Sequence, residues 1–475
     1  MSVQKDRDMD MDRNNQATIV AAVDIGTTKV CAIVAKLNSV KKLEVLGVGR
    51  AGSTGVMRGV ITNIDKTVEA IRAAIAQAKR QSGVEIHYVY VGIAGQHIKS
   101  YQNSAYLMRD ADAEEIGRAD IQKLMEDMSK SPLNSGEQII HILPQDFTVD
   151  EETGIKDPIG MSGVRLEGDF HIITGQNTAI RNIHRCIEKA GLEVADLILE
   201  PLASSASVLS DEEKEAGIAL VDIGGGTTDI AIFQEGIIRH TAVIPLGGNI
   251  ITEDIKEGCL VMREQAEKLK IKFGAAIANE TQDNAIVSIP GLRGRPAKEI
   301  SVKNLAHIIQ ARMEEILELV YFEIENSGFA SKLIGGIVVT GGGASLEFTQ
   351  QLTEYLTGLD VRVGYADEYL ANGKKTLYHP SFATVIGLAI KSINMDEPQV
   401  TEYVAPEPEP EPEIIPEVVK EEIVAVEETY EDSEEDMEEE GELVEQNDHY
   451  EKESFLGSLI RRSKEWLEGD VKDFK

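Results

Sequence analysis

The chain has 475 residues, 42% of them hydrophobic, so it can bury a large core and hold two to four domain-sized units. Its net charge is −35, from 47 basic and 82 acidic residues. This balance excludes an extended nucleic-acid-binding surface. No apolar stretch approaches the roughly 18 residues of a membrane span, and the polar N-terminus lacks the apolar segment of a signal peptide.

The three cysteines, Cys31, Cys186 and Cys259, are far apart and have no metal-ligand spacing. We therefore predict reduced thiols in a cytosolic protein, where they fill space in the core as small hydrophobic residues.

The first predicted segment, 1–16, is a disordered arm. From residue 17 to about 394, apolar runs alternate with amphipathic helical patterns, which predicts an α/β fold. ATIVAAVDIG at 17–26 predicts a buried strand that ends in a turn. The spacing over 64–83 predicts a helix that stops at Gly83. Its apolar face consists of Ile64, Val68, Ile71, Ile75 and Ala78.

One strand–turn–strand pattern occurs twice. AAVDIGTTKVCAIV at 21–34 is similar to ALVDIGGGTTDIAIF at 219–233. Each copy predicts a β-hairpin with a Gly/Thr tip. Because the two copies are separated by the length of a domain, they indicate a duplicated domain with two facing hairpins.

These tips have the chemistry that a nucleotide phosphate chain needs. Glycine lets backbone N–H groups approach a phosphate closely, and threonine adds hydroxyl donors. Asp24 and Asp222 end their strands just before the turns, where they could hold Mg²⁺ through its waters. A single turn of this type is most often an ordinary tight hairpin, whereas its repetition favours a phosphate clamp.

Two further elements are compatible with a ligand site. IVVTGGGASLEF at 337–348 predicts a strand, a glycine turn and a helix N-terminus with free N–H groups. The 4,3,4,3,4 spacing of apolar residues over 255–273 predicts one amphipathic helix, with Glu267 and Lys270 beside its apolar face. That pair could equally be a surface ion pair.

In this order, the elements resemble the actin/Hsp70-type ATPase superfamily. The resemblance implies an actin-like, ribonuclease H-like, two-domain ATPase fold that binds ATP and Mg²⁺. It implies that Glu267 and Lys270 contact adenine and ribose, that 339–346 is the adenosine motif, and that Glu200 positions the attacking water. Glu200 could instead interact with free N–H groups at its helix start. The implied nucleotide-binding residues are Gly26, Thr27, Thr28, Lys29, Gly224, Gly225, Gly226, Thr227, Thr228, Glu267, Lys270, Gly341, Gly342 and Gly343.

Within the superfamily the chain resembles the FtsA family of bacterial cell-division proteins. The resemblance rests on 141–173, on PLGGNIITEDI with AEKLKIKFG, and on the tail. It implies domain I at 17–84, 171–202 and 378–395, an inserted subdomain at 85–170, and domain II at 203–377 with its smaller subdomain at about 245–300. EPLASSASVL at 200–209 and HPSFATVIGLA at 379–389 resemble the two connecting helices at the hinge.

The tail has a different composition. Residues 397–450 hold 22 acidic residues and one lysine, which is −21 of the total charge, so 396–451 is predicted to be a disordered linker. The segment 452–475 predicts an amphipathic helix that lies on the membrane surface, although it could pack back onto the body. Its membrane-facing residues are Phe455, Leu456, Leu459, Ile460, Arg461, Arg462, Trp466 and Leu467.

A partner site is predicted on a long helix over 301–327. Arg312 interrupts its apolar stripe of Leu305, Ile309, Ile316 and Val320, and could be an arginine that extends from the stripe edge to water. The family resemblance implies instead that Arg312 receives the C-terminal peptide of the tubulin-like FtsZ. Nearby positive charge, including Arg295 and Lys303, suits carboxylates on that peptide.

The resulting functional prediction is an adaptor that polymerises head to tail and tethers FtsZ filaments of the Z ring to the cytoplasmic membrane at the septum. It would be a peripheral membrane protein, would recruit later divisome proteins, and would be at most a slow Mg²⁺-dependent ATPase. The alternatives are a sugar-kinase-type phosphotransferase and a pilus-assembly ATPase of the same superfamily. A chaperone is less favoured, because no foldable substrate domain follows residue 395.

Overall fold

The computed structural model describes residues 18–110, 115–282, 284–291, 296–371 and 375–395. All of them belong to the first of the chain's two units, Met1–Ala405. The predicted arm, linker and C-terminal helix lie outside these ranges, as does Arg295. Across the ranges given, no helix combines the length and the apolar character needed to cross a membrane.

The first half of the chain is built on a five-stranded sheet. In chain order its elements are β1 (Ile19–Ile25), β2 (Lys29–Leu37), β3 (Leu43–Gly52), the short ribbon of β4 (Val56–Met57) and β5 (Val60–Ile61), α1 (Ile64–Ser82) and β6 (Tyr88–Ile93). The predicted helix over 64–83 is confirmed. Asn63 caps its first turn, and Gly83 ends it in the left-handed region at φ 66°.

An antiparallel sheet interrupts this half. It contains β7 (Ile98–Met108), β8 (Glu137–Val149), β9 (Glu152–Ile155) and β10 (Arg165–Gln176), in the order β7-β10-β8-β9, with α2 (Arg118–Ser129) packed against it. The insertion was predicted at 85–170. Within that range, β6 pairs with β1 and so belongs to the first sheet, whereas the strands of the antiparallel sheet extend from Ile98 to Gln176.

The chain then returns to the first sheet through α3 (Asn177–Ala190) and β11 (Glu193–Leu199), which completes the order β11-β6-β1-β2-β3. The helix α4 (Glu200–Val208) leads into the second half, which begins with α5 (Asp211–Ala216).

The second half contains β12 (Ile218–Ile223), β13 (Thr228–Gln234), β14 (Ile237–Ile244), α6 (Gly248–Gly258), α7 (Arg263–Phe273), β15 (Ile286–Ile289), β16 (Lys298–Ser301), α8 (Val302–Asn326), β17 (Ile337–Thr340), α9 (Thr349–Thr357), β18 (Val361–Val363) and α10 (Ala383–Ile393). Its main sheet has the order β14-β13-β12-β17-β18, which repeats the first topology strand for strand. The predicted α/β class and the actin-like plan are therefore confirmed for the part of the chain that the structure describes.

The helices α4 and α10, which were predicted to lie at the hinge, cross in close contact. A Cβ atom on Gly387 would lie 1.8 Å from the carbonyl oxygen of Ala203, so only glycine allows this approach. Buried residues on α10, such as Val385 and Leu388, pack against the first sheet. This packing places the N-terminus of α10 beside the hairpin tips.

The prediction of one helix over 255–273 is wrong. The segment forms α6 and α7, and between them Leu260 takes a left-handed backbone at φ 49°. Cys259, Ala266, Leu269 and Phe273 are buried as predicted, but Met262 precedes α7 and is 45% exposed. The apolar spacing continues across the break because the two short helices bury similar faces.

The prediction that the cysteines fill space in the core is confirmed within the described residues. All three thiols are free and buried, and burial raises the pKa of Cys31 to about 12 and that of Cys186 to about 11.

Candidate functional site

The tips of the two repeated hairpins touch each other. The first lies between β1 and β2, where Ile25 pairs with Val30, and the second lies between β12 and β13. A Cβ atom on Gly225 would lie 2.3 Å from Thr28 Cγ2, and one on Gly226 would lie 2.4 Å from Thr27 Oγ1. The absence of side chains at these glycines therefore lets the tips meet.

The backbone of both tips presents hydrogen-bond donors. Among the described residues, no acceptor takes a hydrogen bond from the N–H groups of Thr27, Thr28, Gly225 or Gly226. Such groups, converging from two sides, are what an anion such as a polyphosphate requires. The geometry of the tips therefore fits a phosphate ligand.

The second tip is fixed from behind by the start of α6. The N–H groups of Gly248 and Asn249 donate to the carbonyl oxygens of Gly224 and Gly225, over 2.9 and 2.8 Å. Thr228 Oγ1 donates to the Leu246 carbonyl oxygen at 2.9 Å. The hydroxyl proton of Thr228 is thus used within the chain rather than offered to a ligand.

Four carboxyl groups interact electrostatically beside the tips. Burial, together with the charge of Asp222, raises the pKa of Asp24 above its ordinary value, and Lys29 opposes this shift. Burial also raises the pKa of Asp222, of Asp229 and, well above the usual range, of Glu200. Burial is the largest cause of each shift, so the ionised carboxylates are disfavoured here and a nearby cation would favour them.

Asp222, one of the two predicted metal ligands, and Lys29 have defined neighbours. Asp222 Oδ2 accepts hydrogen bonds from Ser204 Oγ at 2.8 Å and from Thr384 Oγ1 at 3.2 Å. The Lys29 ammonium donates to the Ser381 carbonyl oxygen and lies 4.9 Å from the Phe382 ring centroid. Both hinge helices therefore help to position the acidic cluster.

A hydrated Mg²⁺ fits this arrangement. Asp229 Oδ1 is buried and has no hydrogen-bond partner among the described residues, so it could accept a hydrogen bond from a cation-bound water. No three His, Cys, Asp or Glu side chains in the described ranges are grouped to ligate a metal directly. The residues therefore suit a cation held through water and phosphate oxygens, as Mg²⁺ usually is.

The Gly341–Gly343 turn lies against the second hairpin. A Cβ atom on Gly341, whose φ is 84°, would lie 2.3 Å from Asp222 Oδ1, and one on Gly343 would lie 2.3 Å from Ile223 Cγ2. Around Gly342 there is open space. The structure thus brings the predicted adenosine motif to the end of β12.

Glu267 and Lys270 form an ion pair at 2.8 Å that is not simply a surface pair. Lys270 is 9% exposed, and its ammonium also donates to the Gly248 carbonyl oxygen and to Thr252 Oγ1, both at 2.8 Å. Burial lowers the pKa of Lys270, while Glu267 opposes that shift. The pair therefore connects α7 to the start of α6 and thus to the second tip.

Glu200 begins α4 and faces the carboxyl cluster rather than its own helix. Its pKa is raised by burial first, and then by Asp24, Asp229 and Asp222. Among the described residues, no N–H group donates to its carboxylate. The geometry thus does not support the alternative of a helix-start interaction.

Arg312 lies on α8 and is paired with two acids. Its guanidinium contacts Asp254 of α6 through Nε at 2.6 Å and Nη2 at 3.0 Å, and it also contacts Glu315. Met313, not Arg312, occupies the buried position beside Ile309 and Ile316. Arg312 is therefore at the edge of the stripe and not within it.

Other predicted site residues are elsewhere or outside the described ranges. Lys303 is on the first turn of α8, near the start of the helix that carries Arg312. Arg295 and the eight predicted membrane-facing residues lie outside the described part of the chain.

The sequence prediction omitted Asp229, Ser204, Thr384 and Thr252. Asp229 is the last residue of the DIGGGTTD motif and pairs in register with Asp222. The signal in the sequence that could have identified Asp229 is a carboxylate at the start of an apolar strand. Ser204 and Thr384 are brought to Asp222 from hinge helices 180 residues apart, and no local pattern indicates that contact.

Comparison with known proteins gives a consistent picture. A family model described as "Cell division protein FtsA" matches residues 219–387, and one described as "SHS2 domain inserted in FTSA" matches 95–174. "Cell division protein FtsA" of Pseudomonas aeruginosa is 40% identical over 372 residues, covering 78% of this chain and 88% of that protein. The protein of the same name from Neisseria meningitidis is 39% identical over 374 residues, covering 78% and 90%.

Among solved structures, a chain of the "PilM-PilN type IV pilus biogenesis complex" aligns with a TM-score of 0.59 and 14% identity. The alignment covers 79% of this chain and 99% of that one. At this identity the likeness concerns the fold alone.

Proposed function

The chain belongs to the FtsA family of cell division proteins, and from this premise we propose that it is an ATP-dependent adaptor that tethers FtsZ filaments to the cytoplasmic membrane. One observation carries the proposal. The two glycine-threonine tips meet beside a buried acidic cluster, as expected of a clamp for a magnesium-bound polyphosphate.

In the proposed site, the free N–H groups of both tips hold the phosphate chain, and Asp24 and Asp222 orient the waters of Mg²⁺. Gly341–Gly343 and the Glu267–Lys270 pair hold the adenosine end. The bound Mg²⁺ supplies charge neutralisation for the phosphates and carboxylates.

Glu200 is the residue that would orient an attacking water. Burial and three neighbouring acids raise its pKa well above the usual range, which disfavours the ionised form that can accept a proton from water. Slow hydrolysis is therefore expected, and ATP would act mainly as a structural ligand between the two halves.

The partner site is proposed at the junction of α6 and α8. Arg312 bridges these helices through Asp254, and its planar guanidinium can exchange that partner for a carboxylate of the FtsZ C-terminal peptide. Lys303, and Arg295 outside the described ranges, would add positive charge.

Attachment to membrane lipids is assigned to 452–475, on its sequence alone. A single amphipathic helix of this length binds weakly, so head-to-tail polymers that present many copies would anchor far more firmly. The proposed location is the cytoplasmic face of the membrane at the division septum, where later divisome proteins would also be recruited.

The proposal is tested by pelleting the full chain with anionic phospholipid vesicles and a labelled FtsZ C-terminal peptide, with and without ATP–Mg²⁺. The expected result is that the peptide pellets only when both the chain and vesicles are present, and more of it with ATP–Mg²⁺. Chain that stays in the supernatant under all conditions would contradict the proposal. ADP release that depends on added sugar would favour the sugar-kinase alternative instead.

A further inference from the structure

A turn beside the nucleotide cleft carries an arginine that the described residues leave unpartnered. The ribbon of β4 and β5 reverses at Arg58 and Gly59, whose φ angles are 50° and 74°. Two consecutive left-handed residues form a tight turn that normally favours asparagine followed by glycine. Arginine is a strained choice at the first position, and such strain is often retained at functional sites.

This turn is packed directly onto the first hairpin tip. The Gly59 N–H group donates to Thr27 Oγ1 at 3.3 Å. A Cβ atom on Gly59 would lie 2.7 Å from the Cα atom of Gly95, so the ribbon is pressed against the body of the first half. Because Thr27 also abuts Gly226, the ribbon turn, the first tip and the second tip are contiguous.

The Arg58 side chain is exposed and available. None of the described residues forms a hydrogen bond or ion pair with its guanidinium. By contrast, the Lys29 ammonium is already engaged by Ser381 and Phe382. A triphosphate would add several negative charges to a cleft that is already crowded with carboxyl groups, and a further cation at its edge would offset them.

We propose that Arg58 contacts the terminal phosphate of a bound nucleoside triphosphate, and so distinguishes a triphosphate from a diphosphate. Arginine suits this role because its planar fork can donate two parallel hydrogen bonds to phosphate oxygens. The contact would close the ribbon over the clamp of the two tips. This inference rests on the proposed nucleotide function.

The decisive variant is Arg58→Asn in the full chain, because asparagine tolerates the left-handed backbone better than arginine but lacks the cation. Arg58→Lys keeps the positive charge but lacks the planar guanidinium that can donate two parallel hydrogen bonds. Arg80→Ala, at the exposed end of α1, is the matched control outside the site. Equilibrium affinities for ATP and ADP with Mg²⁺, and the melting temperature, are measured for each.

We expect Arg58→Asn to weaken ATP binding by about 10- to 100-fold and to leave ADP binding and melting temperature essentially unchanged. The ATP affinity of Arg58→Lys should lie between those of the wild type and Arg58→Asn, and the ATP affinity of Arg80→Ala should match that of the wild type. Wild-type ATP affinity in Arg58→Asn, or equal losses for ATP and ADP, would overturn the inference. A wild-type chain that binds neither nucleotide would overturn the proposed function itself, and this inference with it.

Discussion

Replacing Asp229 by asparagine should stabilise the nucleotide-free protein while impairing its site. Asp229 is buried beside Asp222, and its pKa is raised from 3.8 to about 7. Thr227 Oγ1 donates to its Oδ2 at 3.0 Å, a bond that an asparagine oxygen can also accept. The substitution therefore removes the charge and retains the hydrogen bond.

The direction and the size of the stability change follow from the linkage between proton binding and folding. A group whose pKa is raised by folding contributes stability that is present below its unfolded pKa and is lost as the pH rises through its folded pKa. For Asp229 the loss extends from about pH 4 to about pH 7. A difference of about three pKa units corresponds to roughly 4 kcal/mol of free energy of unfolding above pH 7.

The assay is a series of thermal melts of wild type and Asp229→Asn at pH 5, 6, 7 and 8, with a chelator and without nucleotide. Subtracting the two curves cancels titrating groups that do not interact with Asp229, such as His141 and His171, whose pKa values burial lowers to about 4. The melting temperature of the variant should exceed that of wild type by a margin that grows up to pH 7 and is then constant. A constant margin, or a less stable variant at pH 8, would refute this reasoning.

Three further predictions concern the other surfaces. Arg312→Glu should abolish binding of the FtsZ C-terminal peptide in a fluorescence anisotropy titration and leave ATP binding intact; unchanged peptide affinity would refute the partner site. Deleting Phe455–Lys475 should keep the protein in the supernatant after centrifugation with vesicles, and continued pelleting would refute the anchor. Asp146→Lys and Arg239→Glu should each lower the melting temperature and reduce the free energy of unfolding by roughly 1–2 kcal/mol, because each breaks a 2.6 Å ion pair between β8 and β14. The double variant should recover part of the loss, and purely additive losses would show that the pair does not connect the inserted sheet to the second half of the chain.

Local patterns predicted much of the fold. Asp24 and Asp222, each at the end of an apolar run and before a glycine turn, indicated two matching hairpins, and the structure forms both. The stripe on α8 predicted a helix whose observed caps, Ser301 and Ser327, are the predicted ends. These features depend on residues close in sequence, where periodicity and turn chemistry act directly.

The features that were missed depend on distant contacts or on unusual backbone. The break at Leu260 is preceded by Gly258, the last residue of α6, but an isolated glycine inside a helical pattern does not by itself indicate that a helix ends. The charged state of Asp229 depends on Asp222 and on burial, which a motif does not show. The pairing of Arg312 with Asp254, 58 residues away, also requires the assembled helices.

The central claim is that both hairpin tips hold the same polyphosphate, and it is tested most directly by titrating ATP–Mg²⁺ into Asp24→Asn and Asp222→Asn side by side. Asp211→Asn, on the exposed surface of α5, serves as the control. The account predicts that both site variants lose most of their affinity for ATP–Mg²⁺ while the control binds as the wild type does. Loss of affinity in one site variant with wild-type affinity in the other would contradict it.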